Sequence, residues 1–329
     1  ELLISKIKEI IQAMWKLIII ALTVALALFM SSDVDVPLML LPYEVKDSFA
    51  GKVVWITGAS SGIGAALAED MVKAGAKVII SARREAMLET VADSCAKHGE
   101  RPYVLPLDMN DFAAHATAFE SVIQRYGHID ELVLNAGASH RSVAMNTPLH
   151  VTTDLMQLNF MSVVSLTKTV LPSMIERKQG QITVTSSLSG VFGTPASTSY
   201  SASKFALHGY FNALRGEVAK DGISVLIACP GPVESEISAK AYRPRFLKEP
   251  PKDGPKMPTA RCSFLMAKAM YYRFMEVWIS QQPLLTVTYI AQYAPTLSNY
   301  IFAKVAGPAR VQAVNSGEDP FDMRKMLGI

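Results

Sequence analysis

The sequence predicts an α/β fold: a doubly wound parallel sheet of about seven strands flanked by helices, preceded by an apolar amino-terminal helix. Three observations carry that prediction. From residue 52 onward short apolar runs alternate with helical patterns, a glycine-rich turn joins the first run to the first helix, and residues 17–30 carry no charge. The composition suits a large folded domain, with 50% hydrophobic and 19% charged residues in a chain of 329, and excludes disordered, collagen-like and disulfide-stapled classes. A net charge of +3, from 32 basic and 29 acidic residues, indicates no nucleic-acid partner. Cys95, Cys229 and Cys262 are odd in number and lack metal-ligand spacing, so neither a disulfide framework nor a metal site is expected.

The amino-terminal stretch LIIIALTVALALFM is bordered by Met14, Trp15 and Lys16, a ring and an amine suited to lipid headgroups. Extended back to Ile10 with Lys16 snorkelling, it reaches the roughly 20 residues a span requires. Three readings stand: a retained anchor over residues 1–30, a cleaved signal peptide ending near Ala25 and Ala27, and a buried helix. The amphipathic lead-in over residues 2–14 favours the anchor. Lys6, Lys8 and Lys16 before the segment and Asp33 and Asp35 after it favour a cytoplasmic amino terminus and a lumenal body. Residues 31–50, with Pro37 and Pro42, read as a linker.

Strands are expected at 53–57, 77–82, 102–107, 131–134, 181–185, 224–228 and 276–279, each β-branched or uniformly apolar and bounded by Gly, Asp or Pro. Helical patterns fall at 63–74, 85–98, 112–126, 151–175 and 200–220. Strict alternation implies right-handed crossovers and a ligand crevice beyond the carboxyl ends of the strands.

The first such loop reads Thr57-Gly58-Ala59-Ser60-Ser61-Gly62-Ile63-Gly64. Its glycines allow close backbone approach, and the helix that follows offers free N–H groups to a pyrophosphate. The second strand ends in Ala82, Arg83 and Arg84, where a carboxylate would suit NAD. Guanidiniums suit a 2′-phosphate, so NADP(H) is favoured, although Arg84 reads equally well as the start of a solvated helix. Asp108 is placed for the adenine edge or as a cap of the next helix.

Tyr200 and Lys204, at i and i+4, share one helical face, where the ammonium favours phenolate and lowers the tyrosine pKa toward neutrality. A phenol so tuned gives a proton to a carbonyl or takes one from an alcohol. The pattern recurs at Tyr300 and Lys304, but only Tyr200 is preceded by a strand-end serine, Ser187, able to hold the substrate oxygen. Tyr300 and Lys304 read as a surface helix.

Taken together, the TGASSGIG turn, the Leu134-Asn135-Ala136-Gly137 segment, Ser187 and YSASK resemble the short-chain dehydrogenase/reductase family, whose extended Rossmann-type fold would cover about 51–280. The resemblance implies Asn159 as the residue fixing a water behind Lys204, Ser187 as carbonyl orienter and Tyr200 as acid/base. It further implies Lys204 as phenol tuner and nicotinamide-ribose ligand, Asn135, Ala136 and Gly137 beside the adenosine ribose, and Pro230, Gly231, Val233 and Ser235 around the carboxamide. Leu134 departs from the family's N-N-A-G, which puts a strand-stabilising hydrogen bond in question. The segments VLPSMIERKQGQI and EVWIS followed by QQPLLTVTYIAQYAPT resemble a membrane-bound subgroup of the endoplasmic reticulum, which implies reduction of steroid, retinoid and related lipophilic carbonyls with NADPH. The same residues would serve the reverse reaction on an alcohol, and a non-catalytic nucleotide-binding membrane module is the third reading. Residues 234–258 read as a lid over the site. Residues 281–329 form a carboxy-terminal extension, uncharged from Leu284 until Lys304, that suits a membrane interface or packing on its own domain. Family members commonly pair through the helices carrying Asn159 and Tyr200, which implies a homodimer.

Overall fold

A computed structural model describes residues 2–243 and 256–316. Helix α1 (Leu2–Ser31) stands apart: its stretch Ser5–Ser31 has a mean hydropathy of 2.3 and is exposed along nearly its whole length, meeting the domain at Phe29. At about 1.5 Å per residue it is long enough to cross a bilayer core.

The segment after it is not the open linker the sequence suggests. Val34 pairs antiparallel with Ile279, and the short helix α2 (Val36–Leu40) buries Leu38 completely. Asp33 takes a two-pronged ion pair from Arg261, at 2.8 and 2.9 Å. Asp35 accepts from the Trp278 amide at 2.8 Å and from the Tyr289 hydroxyl at 2.7 Å. Apolar burial at Val34, Leu38 and Phe49 makes residues 31–50 part of the domain.

The domain follows the predicted alternation: β1 (Val53–Thr57), α3 (Gly62–Lys73), β2 (Lys77–Ser81), α4 (Glu85–Cys95), β3 (Tyr103–Val104), α5 (Ala114–Tyr126), β4 (Glu131–Leu134), α6 (Leu149–Met156), α7 (Ser162–Arg177), β5 (Gly180–Thr185), α8 (Thr198–Val218) and β6 (Ile223–Pro230). The short α9 (Glu236–Ala239), then α10 (Thr259–Tyr271) and β7 (Glu276–Ile279) complete it. All strands are parallel, in the order β3-β2-β1-β4-β5-β6-β7. β1 therefore lies between strands whose connections leave in opposite directions, and the crevice opens there, beyond Thr57 and Leu134. One face of the sheet packs on α3, α4 and α10, the other on α5, α7 and α8, which is why its strands are apolar on both sides.

Two elements differ from expectation. Helix α10 has no counterpart in the sequence reading, yet Cys262, Leu265, Met266, Ala269 and Met270 form its buried stripe at helical spacing. The long helix expected at 151–175 is interrupted by a π turn, Gln157–Met161, which holds the completely buried Asn159. Beyond β7, the extension folds as α11 (Leu284–Tyr293), α12 (Pro295–Ile301), a π turn and α13 (Gly307–Ser316). The two ends of the expected lid are joined, since Val233 bridges to Met257; residues 244–255 of that lid and 317–329 of the extension lie outside the described residues.

At the start of β4, Glu131 is buried and its Oε2 has no hydrogen-bond partner. Burial raises its pKa from 4.5 to about 8, against the opposing charge of Arg273. The native state therefore holds this proton more tightly than the unfolded chain, and stability present below pH 4.5 is lost as pH rises toward 8. Glu131→Gln should raise the thermal midpoint at pH 8 by a few degrees, at about 2–4 °C per kcal/mol, with little change at pH 4.5; melting curves at the two pH values check this.

Candidate active site

The glycine turn is packed too tightly for any side chain at its first position. A Cβ on Gly58, whose φ is +67°, would lie 2.7 Å from Ala136 Cα, and one on Gly64 would lie 2.5 Å from Asn135 Nδ2. The turn thus presses on the loop after β4. Thr57 holds the two together: its hydroxyl donates to Val133 O at 3.3 Å and accepts from the Asn135 and Ala136 amides at 3.1 and 3.3 Å. The Asn135 side-chain amide returns the link, donating to Thr57 O at 3.2 Å and Gly58 O at 3.3 Å. These bonds tie β1 to β4 where Leu134, itself buried in the core, supplies no polar group. The sequence placed Thr57 and Gly64 among the cofactor contacts, but both lie behind the cavity wall, as supports for it.

Beyond the turn, α3 begins at Gly62 with Ser61 at its cap position making no side-chain cap bond, so its first amides face the crevice. Arg83 is exposed on the crevice wall, while Arg84 donates to Ser60 Oγ at 3.0 Å and Ser61 Oγ at 3.1 Å. Asp108 accepts from the Asn110 amide at 3.0 Å and so caps a turn ahead of α5, with its residue still on the cavity wall. Free helix amides, close-packed glycines and two guanidiniums suit a dinucleotide with its phosphates at the turn.

Ser187, at the end of β5, accepts from the Ser189 amide at 3.1 Å and donates to Pro230 O at 3.3 Å. The Ser187 side chain also draws the pKa of the Tyr200 phenol down. One turn along α8, Lys204 is buried, donates to Thr185 O at 2.8 Å and stands 5.8 Å from the centre of the Tyr200 ring. The tyrosine does not have the lowered pKa expected of it. Burial holds it above its usual 10, with the Ser187 bond and the charge of Arg141 pulling the other way. Burial also brings Lys204 down to about 8. Desolvation outweighs pairing here because both groups sit in the same dry wall.

Asn159 does not reach the cavity. Its Oδ1 accepts from the Ala138 amide at 2.9 Å, while its Nδ2 donates to Ala138 O and Ser203 Oγ, each at 2.9 Å. It clasps the loop after β4 to α8, which fixes Tyr200 against that loop.

The remaining expected residues line one cavity of about 1530 Å³: Gly58, Ser60, Ser61, Gly62 and Ile63 along the turn, Asn135 to Gly137, Ser187, Tyr200 and Lys204, and Pro230, Gly231, Val233 and Ser235. The sequence reading missed two parts of its wall. Arg141 follows the β4 loop, a lone arginine with no motif to mark it. The far wall is built by the extension, including Leu284, Ile290, Phe302 and the buried Arg310, whose Nε donates to Pro195 O at 2.8 Å. Tyr300 and Lys304 are on the surface, as expected.

The fold and this constellation define an oxidoreductase of the short-chain dehydrogenase family, to which the chain belongs: the family profile, short chain dehydrogenase, matches residues 52–245. The chain is 42% identical to dehydrogenase/reductase SDR family member 7 of Homo sapiens over 320 residues, covering 93% of this chain and 94% of that one. It is 40% identical to the protein of the same name in Mus musculus, covering 93% and 95%. Among solved structures, a short-chain dehydrogenase from Streptomyces avermitilis superposes with a TM-score of 0.65 at 27% identity, covering 77% of this chain and 96% of its own. An alcohol dehydrogenase from Thermococcus sibiricus complexed with 5-hydroxy-NADP shares the fold, with a TM-score of 0.62 at 21% identity over 70% of this chain and 97% of its own. Members of this family bind a nicotinamide dinucleotide.

Thr57→Val would leave the half-buried Asn135 and Ala136 amides without their shared acceptor, at a cost of about 1–3 kcal/mol. Thermal unfolding should show a midpoint lower by several degrees, with dinucleotide affinity falling in parallel.

Proposed function

We propose that the protein is an NADPH-dependent carbonyl reductase of lipophilic ketones or aldehydes, steroid, retinoid or xenobiotic in type, held on a membrane by α1. The observation that carries this reading is the convergence of Ser187, Tyr200 and Lys204 on one cavity that runs back to the glycine turn and the two arginines of β2. A bound nicotinamide dinucleotide supplies the hydride. Ser187 holds the carbonyl oxygen by hydrogen bonding, and Tyr200, a neutral phenol at neutral pH, gives that oxygen its proton. Lys204 keeps a positive charge beneath the phenol as the proton leaves, and holds the nicotinamide ribose. Asn159 keeps the loop and helix in register. Arg83 and Arg84 would take the 2′-phosphate, which is the reason for preferring NADP(H).

Support for a lipophilic substrate and a membrane setting comes from the carboxy-terminal wall. Its inner side carries Leu284, Val287, Ile290, Ile301 and Phe302 beside Arg310, and its outer side leaves Tyr293, Leu297 and Tyr300 between 54% and 76% exposed. Gln282 donates to Phe29 O at 3.0 Å and Tyr289 stacks edge-on against Phe29, so this wall adjoins the end of α1. We infer a single anchor over residues 1–30 in the endoplasmic-reticulum membrane, a catalytic domain from 51 to 280, an extension beside the bilayer, and pairing of two copies through the helices that carry Asn159 and Tyr200.

NADPH and NADH oxidation by the detergent-solubilised protein, against ketosteroids, retinal and simple diketones, tests the reading. Turnover with NADPH should fall at least a hundredfold in Tyr200→Phe, the low end of the scale for loss of a general acid at about 10²–10⁴. Absence of turnover with every carbonyl, alongside oxidation of the corresponding alcohols, would reverse the assigned direction. The lowered pKa of Lys204 sets the pH dependence. The lysine loses its proton as pH rises through about 8, so the reductive rate should decline above that pH, and a flat profile to pH 10 would remove its charge from the mechanism.

A further inference from the structure

One ion-pair cluster bridges the two loops that flank the crevice, outside the reacting centre. Arg84 Nη2, already on Ser60 and Ser61, also reaches Glu236 Oε2 on α9 at 3.3 Å. That carboxylate is held from its other side by Lys240, one helical turn on. Hydrogen bonds from Lys240 and Ser61, and then the charge of Arg84, keep the Glu236 carboxyl below its ordinary pKa, so it is an anion at neutral pH. Nη2 carries two hydrogens and faces three acceptors, which leaves it no capacity for a fourth. Arg84 and Glu236 are 42% and 47% exposed, so their contact can exchange with an incoming ligand.

We propose that Glu236 is an internal competitor of the cofactor's 2′-phosphate, its carboxylate holding the Arg84 guanidinium that the phosphate must recruit. This rests on the NADPH reading above. Two anions on one guanidinium edge repel, so the phosphate engages the Nη2 edge of Arg84 only as that edge leaves Glu236. The apparent affinity for NADPH is then reduced by the fraction of Arg84 that Glu236 retains. Glu236 thereby also couples the loop after β6, which carries Ser235, to occupation of the phosphate site.

Isothermal titration of the full-length, detergent-solubilised protein with NADPH and with NADH tests this, on wild type, Glu236→Gln, Arg84→Gln and the double variant. An exposed pair of this kind predicts about two- to fivefold tighter NADPH binding in Glu236→Gln, a smaller change for NADH, and no gain in the Arg84→Gln background. The gain should shrink as salt screens the pair. Unchanged or weaker NADPH binding in Glu236→Gln, an equal gain for both dinucleotides, or a gain that persists without Arg84 would overturn the competition. Equal loss of NADPH and NADH affinity in Arg84→Gln would instead overturn the 2′-phosphate assignment of Arg84, and the competition with it. A common thermal midpoint for wild type and Glu236→Gln confirms that the comparison is between equally folded proteins.

Discussion

Everything in the crevice depends on the hydrogen-bonded knot between the carboxyl ends of β1 and β4. Thr57 and Asn135 exchange bonds across neighbouring strands, and the glycine turn lies so close to Ala136 that no Cβ fits between them. Because Thr57 is buried and its partners are half-buried, a polar atom left without its partner there would carry a desolvation cost. From this knot the backbone departs in two directions. One leads through the turn to the amides of α3, where phosphates bind in dinucleotide folds; the other leads through Gly137 and Ala138 to Asn159 and then, by way of Ser203, to the helix carrying Tyr200 and Lys204. The glycine turn and the helix carrying Tyr200 and Lys204 are thus two arms of one junction.

Burial also sets the chemistry of the second arm. In water the lysine would stay charged well above neutrality and the phenol would ionise near 10. In the dry wall of the cavity, the lysine falls to about 8 and the phenol rises further, so the neutral phenol is the resting form. Ser187 and the charge of Arg141 counter that rise. The pKa of Tyr200 is thus set by burial against neighbours from the end of β5 and from the loop after β4.

The amino- and carboxy-terminal segments meet on the edge of the sheet. Val34 pairs with Ile279, Asp35 joins Trp278 to Tyr289, and Gln282 holds the last turn of α1. A helix exposed along nearly all of Ser5–Ser31 is thereby oriented by the same residues that begin the far wall of the cavity. Mechanical continuity between α1 and that wall follows from these contacts.

Periodicity was enough to determine the alternating strands and helices, because a parallel sheet covered on both faces demands uninterrupted apolar strands, and local spacing was enough to mark the turn, Ser187, Tyr200 and Lys204. Helix α10 escaped because its stripe adjoins the polar, proline-rich segment taken for a lid, and residues 31–50 read as a linker because their prolines say nothing about the β7 edge on which they dock. Tertiary structure alone decided that Thr57 and Gly64 support the wall instead of lining it, that Asn159 clasps instead of facing the cavity, and that Tyr200 titrates upward. It also brought Arg141, Arg310 and Glu236 to the crevice. The physical reason is common to all of these: spacing along the chain records which residues share a helix face or a strand end, whereas desolvation and cross-strand hydrogen bonding depend on what packs against that face from far away in the sequence.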